Sequence, residues 1–275
     1  MVGDESALKV HVHTDDPGAA LSLGTARGAI SGVEIADMHT QTTQREERLA
    51  ASVTAATSQR ISDVVAVVAG TGNRRLYESL GAAHIVEGGQ SMNPSTAEIL
   101  DAIEGTEAPE VVVLPNNGNV ILSAEQAATL AGKPAHVVPT RSIQAGLSAL
   151  LVFDPAVAAD DNDEAMREAI GAVATAAVTT ASRDVELNGL KIREGEYLGL
   201  LEEEPLVGGE SFDQVAGEVI EALLSSAHDT MTVLTGADAP EIDDLLQAVA
   251  VRHPDIELDV RPGGQPHYHL LIAAE

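Results

Sequence analysis

The chain has 275 residues, 44% of them hydrophobic but only 2% aromatic and none Trp, so about two domains must be cored by Ala, Val, Leu and Ile. With 43 acidic against 15 basic residues the net charge is −28, which argues against nucleic-acid phosphates and anionic membrane surfaces as partners. Cys is absent, which removes disulfides and thiolate chemistry and fits a cytoplasmic location. No apolar run nears the roughly 18 residues of a membrane span, so stable membrane insertion is not expected.

In chain order, LKVHVHT reads as a strand, PGAALSLGTARG as a helix opened by Pro17, and ISGVEIADM as a second strand. Such a β-α-β piece has small apolar faces and too few elements to stand alone, so it is expected to be part of a domain that continues upstream. A polar helical stretch from Thr40 to Arg60 turns into a linker. Four apolar runs follow, Val64–Ala69, His84–Val86, Val111–Leu114 and His136–Val138, separated by NRRLYESLGA, PSTAEILDAIEG and SAEQAATLAG. Strands alternating with helices predict a parallel sheet of βαβ units. Ser95 with Glu98, and Ser123 with Gln126, have capping-box spacing, and Gly105 and Gly132 mark helix ends.

Beyond Val152 the pattern changes. DDNDEAMREAIGAVATAAVTTA predicts an acid-capped helix running into a strand. VELNGLKIREGEYLGLLEEEPLVGG predicts antiparallel strands, with a turn at Asn188–Gly189. A helix at FDQVAGEVIEALLSSA precedes a tail of strand, helix, strand, strand. The expected architecture is α/β: residues 1–58 a partial domain, 59–152 a parallel-sheet lobe, and 153–275 a second lobe with antiparallel strands.

Ligands of open parallel sheets bind beyond the carboxyl ends of the strands. Those ends carry GTGN, EGGQSMNPST, PNNGN and PTRS, which makes Thr71, Asn73, Gln90, Ser91, Asn93, Asn116, Asn117, Thr140, Arg141 and Ser142 a candidate binding or docking cleft. The helix starting near Ser95 is expected to aim its N–H groups there. Arg141 is the only cation among these residues, so an anion would rest on it and on backbone amides. The ordinary alternative is that Asn, Gly, Pro and Ser simply make loops. No Walker A motif or G-x-S-x-G elbow occurs.

On a strand His11 and His13 share one face, and Asp15 and Asp16 follow closely. The set could be half of a zinc site, the catalytic residues of a metal-dependent phosphohydrolase, or a strand-end pair bonded to backbone. His267 and His269 repeat the spacing in an expected edge strand. His39, His84, His136, His228 and His253 read as structural.

HVHTDDPG, EGGQSMNPSTAEIL, LPNNGNVILSAEQAA, VPTRSIQAGLSALL and the late GGQP resemble, in order and spacing, the ATP-binding subunit of bacterial fatty acid kinases, a family also known as dihydroxyacetone-kinase-like. The resemblance runs from Leu8 to Glu275 and implies part of a middle domain followed by a two-lobed, DegV-like region. It also implies that ATP and magnesium are held by a domain outside this chain, so that this portion is non-catalytic alone and carries no cofactor itself. His11 and His13 would match the middle domain's functional His-x-His, which pairs with an upstream Cys in a zinc site; this chain has no Cys. The partner implied is a DegV-like fatty-acid carrier whose bound carboxylate is phosphorylated, with homodimerisation through the middle domain. A small-molecule or lipid-binding protein using a DegV-like cleft remains the other reading.

Overall fold

In the computed structural model the described residues are 2–3, 8–9, 22–23, 25–26, 60–89, 93–187 and 190–275. The chain divides into two units, Met1–Ser58 and Gln59–Glu275. In the first, β1 (Val2–Gly3) pairs antiparallel with β2 (Leu8–Lys9).

The second unit opens with β3 (Ser62–Val68), α1 (Thr71–Ser79), β4 (His84–Glu87), α2 (Thr96–Glu104), β5 (Glu110–Leu114), α3 (Ile121–Leu130) and β6 (Ala135–Val137). The strands form a four-stranded sheet in the order β4-β3-β5-β6, parallel at every pairing. All seven residues of β3 are buried, as a parallel sheet covered on both faces requires. Their alternation sorts them: Val65 and Val67 meet Ile99 and Ile103 of α2, while Val64, Ala66 and Val68 join a core with Leu147 and Leu150.

Leu147 and Leu150 lie on α4 (Ile143–Leu151), whose residues Gln144 to Leu150 are all buried. A helix with little polar surface has to be enclosed, and this one is. Its core also takes in Ala177, Leu234 and Leu271 from a second sheet. That sheet comes from α5 (Ala159–Ala172), β7 (Ala174–Thr180), β8 (Val185–Leu187), β9 (Leu190–Ile192), β10 (Tyr197–Leu201), β11 (Glu204–Gly209), α6 (Phe212–Leu223), β12 (Thr230–Thr235), α7 (Asp243–Arg252), β13 (Glu257–Pro262) and β14 (Tyr268–Ala274). Six strands run in the order β11-β10-β7-β14-β12-β13, with β12 and β13 parallel and the other pairings antiparallel. Val178, Val233 and Ile272 point to its other face, against Val215 and Val219 of α6 and Val249 of α7. Both sheets therefore belong to one unit and share the core around α4. β8 and β9 pair antiparallel as a separate two-stranded sheet with Leu187 opposite Leu190, and the turn expected at Asn188–Gly189 lies outside the described residues.

Two expectations need correction. Ser95 caps α2 as expected, its hydroxyl accepting from Glu98 N–H at 3.3 Å and Glu98 Oε2 accepting from Ser95 N–H at 2.8 Å. Ser123 caps nothing: α3 has already begun at Ile121, its N-cap residue being Val120. The turn that begins at Asn117, whose carbonyl accepts from Val120 N–H at 2.9 Å, winds straight into the helix and supplies the entry a Ser would have provided. Gln126 instead accepts from Thr96 Oγ1 at 3.1 Å. The strand of His269, expected at an edge, lies inside the sheet between β7 and β12.

The two sheets also meet at backbone level. Gly70, at φ 95°, and Gly72 press against the turn after β13, where a Cβ on Gly70 would stand 2.5 Å from Gly263 O. Asn73 N–H donates to Gly263 O at 2.9 Å, and Asn73 Nδ2 donates to Gln265 Oε1 at 3.1 Å. A side chain on either glycine would hold the loops apart.

Candidate functional site

A cleft of about 370 Å³ opens where the carboxyl ends of β3 and β5 face the second sheet. The parallel-sheet side contributes Val67, Ala69, the PNNGN loop and Arg141 to Gln144. The facing side contributes Thr175, Ala176, Ala177, Leu200, Glu203, Gln265, Tyr268 and Leu271. The volume falls in the range of small-molecule sites, roughly 300–1,000 Å³.

Asn116 ties the floor of the cleft together. It sits just past β5 at φ 54°, a left-handed conformation that Asn tolerates better than most residues. Its Nδ2 donates to Val67 O at 3.0 Å and to Tyr77 Oη at 2.9 Å, and its N–H donates to Thr140 Oγ1 at 3.0 Å. Tyr77 Oη in turn donates to Ile143 O at 2.6 Å, at the start of α4. Complete burial of Tyr77 pushes its phenol well above the usual value, outweighing the hydrogen bond from Asn116, so this hydroxyl stays protonated. The network joins β3, β5, α1 and α4, and it fits only because residue 146 is glycine. A Cβ there would stand 2.8 Å from Asn116 Cγ and closer still to Asn116 Oδ1 and Tyr77 Oη.

The mouth is charged. Arg141, the only cation among the lining residues, donates from Nε to Glu203 Oε2 at 2.5 Å, spanning the two sides of the cleft. Its guanidinium lies against Gly118, where a Cβ would stand 3.1 Å from Nη2. Next in sequence, Ser142 caps α4 by accepting from Ala145 N–H at 3.2 Å. Tyr268 is pushed up by burial first and by the charge of Glu203 second, so its phenol is also neutral.

Of the residues singled out from sequence, Asn116, Asn117, Arg141 and Ser142 line this cleft. Asn73 and Thr140 are buried in hydrogen-bonded ties, while Thr71 and Asn93 are exposed and do not line it. The helix turned toward the cleft is α4; the N-terminus of α2 is not among the lining segments. Gln90 and Ser91 lie outside the described residues, as do His11, His13, Asp15 and Asp16. Sequence reasoning missed the second wall, including Glu203, because its residues come from strand interiors and turns, and it missed Gln144, which lies on α4.

Three other histidines have local partners. His84 Nε2 lies 3.1 Å from Gly105 O, and His253 Nε2 lies 3.2 Å from Glu221 Oε1. His269 lies between Thr180 Oγ1 at 2.8 Å and Asp238 O at 3.0 Å, edge-on to Tyr197 and Phe212. Among the described residues no three His, Asp or Glu side chains are grouped to hold a metal ion, and no helix is long and apolar enough to cross a membrane.

Two facing sheets with a buried helix between them and a cleft at their junction define a DegV-like α/β architecture. A Thermotoga maritima protein described as revealing fatty acid binding function has TM-score 0.55 at 11% identity, over 78% of this chain and 99% of its own. DegV of Bacillus subtilis, described as a fatty acid binding protein, has TM-score 0.54 at 12% identity, over 78% of this chain and 100% of its own. The dihydroxyacetone kinase of C. freundii, in complex with AMP-PNP and Mg2+, has TM-score 0.55 at 14% identity, over 78% of this chain and 48% of its own. At such identities these likenesses establish the fold. Residues 63–275 match the C-terminal domain of the FakA-like fatty acid kinase family, and residues 1–45 match the middle domain of the same family. The chain belongs to the FakA-like fatty acid kinase family. An uncharacterized protein of Staphylococcus haemolyticus is 34% identical over 282 residues, covering 100% of this chain and 51% of its own length. A Staphylococcus aureus counterpart is 32% identical over 281 residues, with 100% and 50% covered. The chain thus spans about half the length of the curated relatives it matches.

Proposed function

We propose that this chain is the C-terminal portion of the ATP-binding component of a fatty acid kinase, and that its DegV-like unit is a docking module for a separate fatty-acid carrier. In the assembled enzyme the carrier would present its fatty-acid carboxylate for ATP-dependent phosphorylation to an acyl phosphate. ATP and magnesium would be bound by a domain outside this chain, and His11 and His13 would belong to the middle-domain active site, with zinc as their candidate ion. The observation that carries the reading is the family match over residues 63–275. A fourth solved neighbour supports the choice of partner: the Streptococcus pneumoniae fatty acid kinase B3 protein, loaded with linoleic acid, has TM-score 0.50 at 12% identity, over 78% of this chain and 99% of its own. The net charge of −28 favours a carrier with a basic docking patch.

The reading is tested by gel filtration of this chain with a DegV-like carrier from the same cell, and by an acyl-phosphate assay on the mixture with ATP. Co-elution without acyl-phosphate formation is expected. Separate elution, or turnover by this chain alone, contradicts the proposal.

A further inference from the structure

β13 ends the six-stranded sheet, and among the described residues no strand pairs with its outer side. The bonds to β12 show which backbone groups are left over. Glu257 N–H donates to Asp229 O at 2.9 Å, and Gly263 N–H donates to Thr235 O at 2.9 Å. Residues 257, 259, 261 and 263 therefore turn inward, toward the parallel neighbour β12. The N–H and C=O of Leu258 and Val260, and the C=O of Pro262, point out of the sheet. Charged residues on such an edge normally keep other strands away. Those of β13 are of opposite sign: Asp259 and Arg261 share one face, with Arg261 Nε 2.8 Å from Asp259 Oδ1 and the side chains 58% and 48% exposed for Arg261 and Asp259. Val260, on the other face between them, is 38% exposed.

We infer that the outer edge of β13 is a self-association surface, on which a second copy of this chain lays its own β13 antiparallel, centred on Val260. The charges select both the occupant and the register. Centred there, Val260 and the partner's Val260 exchange N–H and C=O bonds, and Leu258 N–H reaches the C=O of the partner's Pro262. Pro262, which lacks an N–H, falls at the end of the pairing, where that lack costs least. Asp259 then stands opposite the partner's Arg261 on both sides of the centre, an arrangement that favours cross-strand pairing. Centring on Leu258 would instead set Asp259 against the partner's Glu257, and centring on Asp259 would set it against its own copy. The edge is short, so the contact belongs to the weak class of interfaces. The net charge of −28 opposes it at long range, so pairing is expected where salt screens that repulsion, at the Debye length of about 8 Å that 0.15 M salt gives.

The inference is independent of carrier docking. Sedimentation of the full chain at about 100 μM in 0.15 M salt is expected to show reversible self-association. Arg261→Asp and Asp259→Arg each set like charges across the centre, and each should weaken it about tenfold or more. An equimolar mixture of the two variants opposes unlike charges again and should recover it. That recovery can come only from pairing between copies, because residues 259 and 261 within each variant still carry like charges. Val260→Pro removes the central outward N–H without a bond to β12 being lost, and should also weaken association. A native chain that stays monomeric, association that these substitutions leave unchanged, or variants whose mixture does not recover it, each overturns the inference. A monomeric native chain whose co-elution with the carrier is lost on the same substitutions also overturns it and assigns the edge to the carrier.

Discussion

Replacing Gly146 by Ala sets two effects of opposite sign against each other. In an open helix the change would stabilise by about 1 kcal/mol, because alanine loses less backbone entropy than glycine. In α4 the added methyl would enter the space of Asn116 Oδ1 and Tyr77 Oη. Neither neighbour is free to give way: Asn116 is fixed by bonds to Val67, Tyr77 and Thr140, and Tyr77 by its bond to Ile143. Overpacking of this kind costs about 1–3 kcal/mol, and a buried polar group left without its partner a further 1–3 kcal/mol or so. The net expectation is a loss of about 2–4 kcal/mol, or a fall of roughly 5–15 °C in Tm for a unit of this size. Urea unfolding followed by far-ultraviolet circular dichroism measures it. Tyr77→Phe removes one of the two colliding oxygens, so the double variant should fall short of additivity by about 1 kcal/mol. A Gly146→Ala protein as stable as the parent would refute the claim that this network fixes α4.

Gly72→Ala would drive a Cβ into Pro262 O, so a loss of about 3 kcal/mol or more is expected by thermal unfolding. Tyr77 has a folded-state pKa raised by burial, so its contribution is complete below about pH 10 and is lost as pH rises through the folded value; an alkaline unfolding titration of Tyr77→Phe should show a flatter decline. Ser95→Ala removes the cap of α2 and should cost about 1 kcal/mol in urea unfolding. Glu98 has its carboxyl lowered by hydrogen bonds from the Ser95 backbone and hydroxyl, so its support for α2 is present above the ordinary carboxylate range and fades as pH falls through the lowered value. An acid titration of Glu98→Gln should lack that step.

The parallel sheet was legible because its strands are short apolar runs set apart by periodic helices, and β3, with every residue buried, is the clearest case. The Ser95 cap was legible because the capping box is a local motif whose partners lie three residues apart. Ser123 has the same spacing and fails, since a turn upstream had already started the helix; spacing alone does not locate the first turn. Half of the cleft was legible, as Asn116, Asn117, Arg141 and Ser142 stand at strand ends where loops converge. Its other wall was not, because Ala177, Leu200 and Leu271 look like any strand residue until a sheet formed from distant segments is laid over them. Glu203 was hidden for a different reason: its meaning depends on a partner 62 residues earlier and on a backbone conformation that glutamate rarely takes.

The most direct test of the account is calorimetric titration of this chain with a purified DegV-like fatty-acid carrier from the same cell, at low and at moderate salt. Carrier docking predicts micromolar binding that weakens as salt rises, because an acidic surface meets a basic one and the attraction is screened. No heat of binding at either salt would contradict it and move the partner site outside this chain.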